Sequence, residues 1–388
     1  MQNFVYHVPT IVYFGKGQVE HIGELAASIG RKALLVYGGG SIKQNGIYDA
    51  VIKQLKKCKI AYTELAGVDP NPRITSVRAG VAICREEKCD LIIPIGGGSV
   101  IDCAKVIAAS VNYSGDPWDV VLDPSKVTDV LPIITVLTIA ATGSEMDYCA
   151  VISNLETNDK AEFDHVKVIP KYSILDPTYT QTVSAYQTAA GVADIMSHVF
   201  EVYFKKCGDT YIQDQFMEGI LRTCIRYGIR AVENPDDYDA RANLMWASSW
   251  AINGMISCGK SGAWVCHPIE HEISAYYDVT HGVGLAIILP HWMRYILDDA
   301  IVDVFVQYGV NVWGIDSSFL PYEIANLAID KTEAYFRQLK IPATLREIGI
   351  KDQSMFEIMA EKAVRGGLAK AYHPLDKQDV VKILEAAF

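Results

Sequence analysis

Asp90-Leu91-Ile92-Ile93-Pro94-Ile95-Gly96-Gly97-Gly98-Ser99-Val100-Ile101-Asp102-Cys103-Ala104-Lys105 is the stretch whose reading decides the fold. Its opening residues form a short apolar run, the kind buried on both faces of a parallel sheet. Three glycines follow at once, and a helix starts on them. A strand that feeds a helix through glycines is the building unit of an α/β fold. Glycines let the backbone approach a ligand closely, and the free N–H groups of a helix start carry partial positive charge. Gly96, Gly97, Gly98 and Ser99 are therefore candidates to cradle a phosphate or pyrophosphate. Without a ligand, the same residues are simply a tight strand-to-helix turn.

The unit recurs on either side. Upstream, residues 32–37 form another buried apolar strand, broken by Gly38-Gly39-Gly40-Ser41. Extended runs are expected over 4–14 and 61–65, with helices over 19–29, 47–57 and 75–87. Downstream, the apolar strand 131–138 leads into Ala140-Ala141-Thr142-Gly143-Ser144-Glu145, and alternation predicts a hairpin of 148–154 with 161–166. Beyond about Val183 the texture changes to long helical periodicities, over 185–204, 211–232, 237–256 and 326–339. The expected architecture is an α/β dinucleotide-binding domain over 1–180 and an all-helical domain over 181–388, with the active site in the cleft between them. Two glycine turns, each after an apolar strand, favour a dinucleotide, although neither is G-x-G-x-x-G.

The helical half holds the second constellation. Asp194 and His198 stand four residues apart, so on a helix both leave one face and can grip one ion. His267, His271 and His281 follow at a distance, three of the nine histidines within 15 residues and amid Ile269, Ile273, Tyr276 and Val283. One carboxylate with imidazoles suits Fe(II) or Zn(II), whereas Mg(II) or Ca(II) would demand mostly oxygens. The competing reading of Asp194 and His198 alone is a salt bridge on a helix face. Cys266, beside His267, reads as a small buried residue, with a ligand or redox role as the alternative. Trp264, Tyr148 and Phe163 read as core aromatics or as the wall of an apolar substrate channel.

Composition narrows the classes. With 388 residues, half of them hydrophobic, the chain exceeds one ordinary core. A formal charge of −11 argues against a nucleic-acid partner. Neither a cationic leader nor an uninterrupted apolar span is visible, and the nine cysteines are scattered without a C-x-x-C pair. A cytoplasmic protein with free thiols and no membrane partner is expected, with a homodimer as the default assembly. For the cofactor, no acid follows Tyr37 until Asp49, while Ser41 and Lys43 could receive a 2′-phosphate. NADP(H) is therefore favoured over NAD(H).

Taken together, Phe14-Gly15-Lys16-Gly17, Gly96 to Ser99 with Asp102 and Lys105, Leu137-Thr138 with Ala141 to Glu145, Asp194 with His198, and the block from His267 to Gly282 resemble the iron-containing, group III alcohol dehydrogenases. The likeness is to the butanol dehydrogenase and broad-range aldehyde reductase branch, along essentially the whole chain, on a dehydroquinate synthase-like architecture. The resemblance implies a divalent metal held by Asp194, His198, His267 and His281, with His271 nearby as the proton-relay candidate. It places cofactor contacts at Gly96, Gly97, Gly98, Ser99, Asp102, Thr138, Thr142 and Lys160, beside Gly38, Gly39 and Ser41 of the first glycine turn. Glu272-Ile273-Ser274 after His271 departs from relatives that carry small residues or proline there, and leaves the alcohol open.

The expected reaction interconverts short to medium aliphatic aldehydes and primary alcohols, the metal polarising the substrate oxygen and hydride moving to or from nicotinamide C4. The alternatives are a polyol dehydrogenase or a dehydroquinate synthase-like lyase on the same fold. A lyase should need several basic residues to hold a phosphorylated substrate, and these are sparse between Ala185 and His281. A non-catalytic nucleotide or metal sensor is the third class; it would bind without consuming an aldehyde.

Overall fold

A computed structural model describes all 388 residues, which divide into two compact units. The first comprises His7–Val183 and Pro235–Ser249; the second comprises Met1–Tyr6, Ser184–Asn234 and Trp250–Phe388. The division after Val183 lies close to the sequence boundary, but two segments change sides. Residues 1–6 join the helical unit, where the Gln2 amide donates to the Gly259 carbonyl at 3.1 Å. Residues 235–249 join the sheet unit, where Met245 packs with Ile101, Leu137 and Leu175, and Trp246 meets Phe14 edge-on.

In the sheet unit, strands β1 (Ile11–Phe14), β2 (Lys32–Tyr37), β3 (Ala61–Leu65), β4 (Leu91–Gly96), β5 (Ile134–Leu137) and β8 (Tyr172–Leu175) form one parallel sheet, in the order β1-β8-β5-β4-β2-β3. Helices α1 (Ile22–Ile29), α2 (Ser41–Gln44), α3 (Ile47–Lys57), α4 (Ile74–Glu87), α5 (Gly98–Ser110) and α6 (Pro117–Leu122) connect them. Along β2 the side chains alternate: Leu34 and Val36 join the core formed with α4 and α5, while Ala33, Leu35 and Tyr37 join the core formed with α1 and α3. A strand covered on both faces has no polar side, which is why these runs are apolar throughout. Residues 4–10, expected as extended structure, form no strand. The pairing of β1 with β8 begins only at Ile11, opposite Tyr172, and Val5 is exposed.

The chain leaves β2 towards β3 and then returns to place β4 on the other side of β2. That reversal is the switch point at which open α/β sheets bind ligands, beyond the carboxyl ends of the strands. Tyr37 pairs with Ile95 there, so the two glycine turns lie side by side. The hairpin is present as β6 (Cys149–Asn154) and β7 (Asp159–Asp164), antiparallel.

The helical unit contains α7 (Ala185–Tyr203), α8 (Tyr211–Glu233), the end of α9 (Tyr238–Ile252), α10 (Cys266–Tyr277), α11 (His281–Ile296), α12 (Val302–Trp313), α13 (Pro321–Gln338), α14 (Phe356–Arg365) and α15 (Lys377–Ala386). Helix α9 stops before residue 256 because Asn253 turns the chain, accepting from the Met255 amide at 3.1 Å, and Gly254 takes φ +91°. No helix is long and apolar enough to cross a membrane.

A polar network is sealed inside the sheet unit. The fully buried Lys105 donates to Asp147 at 2.5 Å and to the Cys149 carbonyl at 2.7 Å. Glu145, also fully buried, accepts from Ser249, and burial pushes its carboxyl up to about 7 from 4.5. Because the folded value is the higher one, the stability Glu145 contributes is complete below about pH 4.5 and is lost as pH rises through about 7. Calorimetry should show a smaller fall in melting temperature between roughly pH 5 and pH 8 for Glu145→Gln than for wild type. Equal falls would mean that the folded Glu145 carboxyl is not held above its unfolded value.

Candidate metal centre and dinucleotide turns

Helix α7 supplies the first ligands. Ser184 caps it by accepting from the Gln187 amide at 3.2 Å, and an apolar run keeps its middle buried. Asp194, His198 and Glu201 fall at i, i+4 and i+7, one stripe down a buried face. Helix α10 begins at Cys266 and carries His267, Glu270 and His271 on neighbouring turns, and His281 opens α11. Helices α7 and α11 come close because residue 282 is glycine: a Cβ there would run into the Ala190 carbonyl, one turn before Asp194. Gly284 likewise leaves room for the Glu270 side chain, which a Cβ would meet at 2.8 Å.

The ligand atoms converge. Asp194 Oδ1 lies 3.5 Å from His198 Nε2 and 3.7 Å from His281 Nε2. Two ligands, each about 2.0–2.1 Å from a tetrahedral ion, stand about 3.4 Å apart. Asp194, His267 and His281 each offer an atom within 4.8 Å of the others, and the His198 and His267 rings stack at 5.1 Å. Asp194 Oδ1 and His267 Nε2 are buried without any hydrogen-bond partner. Orphaned buried groups of this kind are costly, and a cation satisfies both. The oxygen and nitrogen donors therefore fit a divalent transition metal.

A second layer of acids sets the rings. Glu201 accepts from the backbone amides of Val265 at 2.7 Å and His267 at 2.9 Å, and its Oε1 lies 3.0 Å from His267 Nδ1. It thus caps the start of α10 and orients the ligand ring at once. A carboxylate only accepts, so Nδ1 carries the proton and Nε2 keeps its lone pair. Glu270 does the same for His281 Nδ1, steadied by the Ser274 hydroxyl. Burial holds the His198 imidazole down to about 4, against the pull of Asp194, so the ring is neutral and free to coordinate. Glu201 and Glu270 were not singled out in the sequence. Their signals were the i+7 position after Asp194 and the i+3 position after His267.

The remaining candidates separate clearly. The ring of His271 lies 5.5 Å from that of His281 and 6.3 Å from that of His267, beside the cluster. Trp264 packs on His267 at 4.6 Å and His198 at 5.8 Å. Phe163 is fully buried in the core of the sheet unit and cannot wall a channel, whereas Tyr148 is exposed. Cys266 is a free, buried thiol that burial pushes well up, and it is not among the groups whose ligand atoms converge. All nine cysteines are free.

The two glycine turns differ in kind. A Cβ at Gly96 would meet Val100 at 2.6 Å, one at Gly97 would meet Ile139, and one at Gly98 would meet Thr142. These glycines allow α5 and the Thr142 loop to close on the end of β4, a closure that the Thr138 amide completes by donating to the Gly96 carbonyl at 3.0 Å. Gly39 and Gly40, in contrast, face open space, with Gly38 and Ser41 on either side. Ser99 is half-buried one residue into α5. Asp102 has both oxygens engaged, by the Ser144 hydroxyl at 2.6 Å and the Val151 amide at 3.0 Å, so it pins the hairpin to α5. Lys160 sits on β7 opposite Ser153. The turns thus offer a backbone cradle at a sheet switch point, as a dinucleotide requires.

An acid missed in the sequence appears here as well. Glu64, on β3, accepts from Tyr37 and from Tyr48 at 2.5 Å, and stands 3.3 Å from Lys43 Nζ.

Residues 9–177 match the model of iron-containing alcohol dehydrogenase, and residues 188–388 match the C-terminal model of the Fe-containing alcohol dehydrogenase family. The chain is 57% identical over 390 residues to NADH-dependent butanol dehydrogenase A of Clostridium acetobutylicum, covering 100% of both. It is 38% identical over 373 residues to the NADPH-dependent aldehyde reductase YqhD of Escherichia coli, covering 95% of each. The crystal structure of NADH-dependent butanol dehydrogenase A from Thermotoga maritima superposes with a TM-score of 0.95 at 38% identity, over 100% of this chain and 99% of that one. By family models that span both halves and relatives that match end to end, this chain belongs to the iron-containing alcohol dehydrogenase family.

Proposed function

We propose that the chain is a metal-dependent NAD(P)H alcohol dehydrogenase and aldehyde reductase acting on short to medium aliphatic aldehydes and the matching primary alcohols. The observation that carries this is the pair of orphaned buried atoms, Asp194 Oδ1 and His267 Nε2, inside a ring of acid-oriented histidines. Relatives at 57% and 38% identity are named as a butanol dehydrogenase and an aldehyde reductase, which supports the substrate class.

Asp194, His198, His267 and His281 would hold the ion, and the open turn at Gly38 to Ser41 with the loop at Gly96 to Ser99 would hold the dinucleotide. When bound, the ion supplies Lewis acidity to the substrate oxygen and the nicotinamide supplies hydride at C4. Glu201 and Glu270 keep the ligand rings in one tautomer and one orientation, so the donor set is arranged before substrate arrives. Trp264 packs against the His198 and His267 rings. His271, whose ring lies 5.5 Å from that of His281, would relay a proton to the substrate oxygen as negative charge develops there, and would take it up in the oxidative direction. A homodimer is the assembly in which we expect the enzyme to act.

Three variants test the roles separately. His267→Ala should lose both bound metal, read by elemental analysis, and butyraldehyde-dependent NAD(P)H oxidation; full activity without metal would overturn the proposal. Glu201→Gln should weaken metal binding by about 10- to 100-fold, and excess Fe(II) or Zn(II) should restore turnover. His271→Ala should keep its metal and lose about 10²- to 10⁴-fold in kcat with a changed pH profile. An unchanged kcat would remove His271 from the proton path.

A further inference from the structure

A positive charge stands beside the open glycine turn, where the Lys43 amide donates to the Gly40 carbonyl at 3.0 Å. Gly39 and Gly40 leave space at the end of β2, and the next cation along the chain is Lys43. Its ammonium group lies over two rings, 4.9 Å from the centre of Tyr37 and 4.6 Å from that of Tyr48, and 3.3 Å from the Glu64 carboxylate. Glu64 is fixed in its turn by both tyrosine hydroxyls. It reaches this position because β3 pairs with β2 in parallel, with Leu35 opposite Glu64.

We propose that Glu64 is a specificity-determining residue: held by Tyr37 and Tyr48, it takes up the Lys43 charge and biases the enzyme against NADPH and towards NADH. The inference rests on the dinucleotide reading of the glycine turns. A 2′-phosphate is dianionic and needs an uncommitted cation; here it meets a cation already paired with a carboxylate, and the carboxylate itself repels it. The hydroxyl of NADH carries no charge and suffers neither penalty. Burial alone would raise the Glu64 carboxyl, but the hydrogen bonds from Tyr37, Tyr48 and Lys43 hold it below its ordinary value, so the negative charge persists at neutral pH. Lys43, read in the sequence as a receptor for the phosphate, thus changes role once its neighbour on β3 is in view.

Titration calorimetry with adenosine 2′,5′-bisphosphate and 5′-AMP tests this without turnover. Glu64→Gln should tighten the bisphosphate about 5- to 20-fold relative to AMP, by freeing a charge-assisted bond. The ratio of KM for NADPH to KM for NADH should fall in parallel. Lys43→Met in the wild-type background should change bisphosphate binding by less than about twofold, since that charge is already taken, but should abolish the gain when added to Glu64→Gln. A bisphosphate-to-AMP ratio that Glu64→Gln leaves unchanged, or a large loss from Lys43→Met alone, would overturn the proposal. If wild type bound neither AMP, bisphosphate nor NADH, the dinucleotide reading itself would fall.

Discussion

Three acids and three imidazoles crowded into a buried space between helices have one economical solution, a shared cation. Asp194, Glu201 and Glu270 are all buried, and the His198 ring is held neutral by its surroundings. A neutral His198 cannot offset them, and Asp194 Oδ1 and His267 Nε2 are left without a hydrogen-bond partner, so the cluster is incomplete on protein groups alone. The helical unit is built to impose that incompleteness. Gly282 lets α11 approach α7 at Ala190, Gly284 admits Glu270, and Glu201 ties the start of α10 to α7 through two backbone amides. Each of these is a packing feature, and each also fixes where a ligand atom points.

The same economy marks the sheet unit. Gly96 to Gly98 look in sequence like a phosphate cradle, yet each gives up its Cβ to a neighbour in its own chain: Val100, Ile139 and Thr142. Their absent side chains are what lets α5 and the Thr142 loop close on the strand end. Open space lies instead at Gly39 and Gly40, one strand over. Two turns of identical sequence thus divide the work, one closing the floor and the other leaving it accessible. Asp102, Lys105 and Asp147 lock that floor from behind through Ser144, Val151 and the Cys149 carbonyl.

Much of the fold was legible along the chain. The buried strand 32–37, the helix 47–57 and the strand 61–65 were read with the ends they have, because apolar runs and glycine stops are local signals. Residues 4–10 misled, since β-branched and aromatic composition cannot supply a pairing partner. A change of period near residue 180 separates a strand-rich stretch from a helical one. The return of residues 235–249 to the sheet unit was not legible, because it depends on contacts of Met245, Trp246 and Ser249 with residues far away in sequence.

Sequence by itself determined the class of the chain, the strand-glycine-helix rhythm and the identity of the metal-site candidates, since periodicity and side-chain chemistry are properties of neighbours along the chain. Only the tertiary structure decided which groups surround those candidates. Glu201 and Glu270 became orienting acids, Phe163 became core, and Glu64 came to sit beside Lys43 from the adjacent strand. The physical reason is that charge and hydrogen bonding act over a few ångströms of space, and sequence separation says nothing about that distance once a chain has folded back on itself.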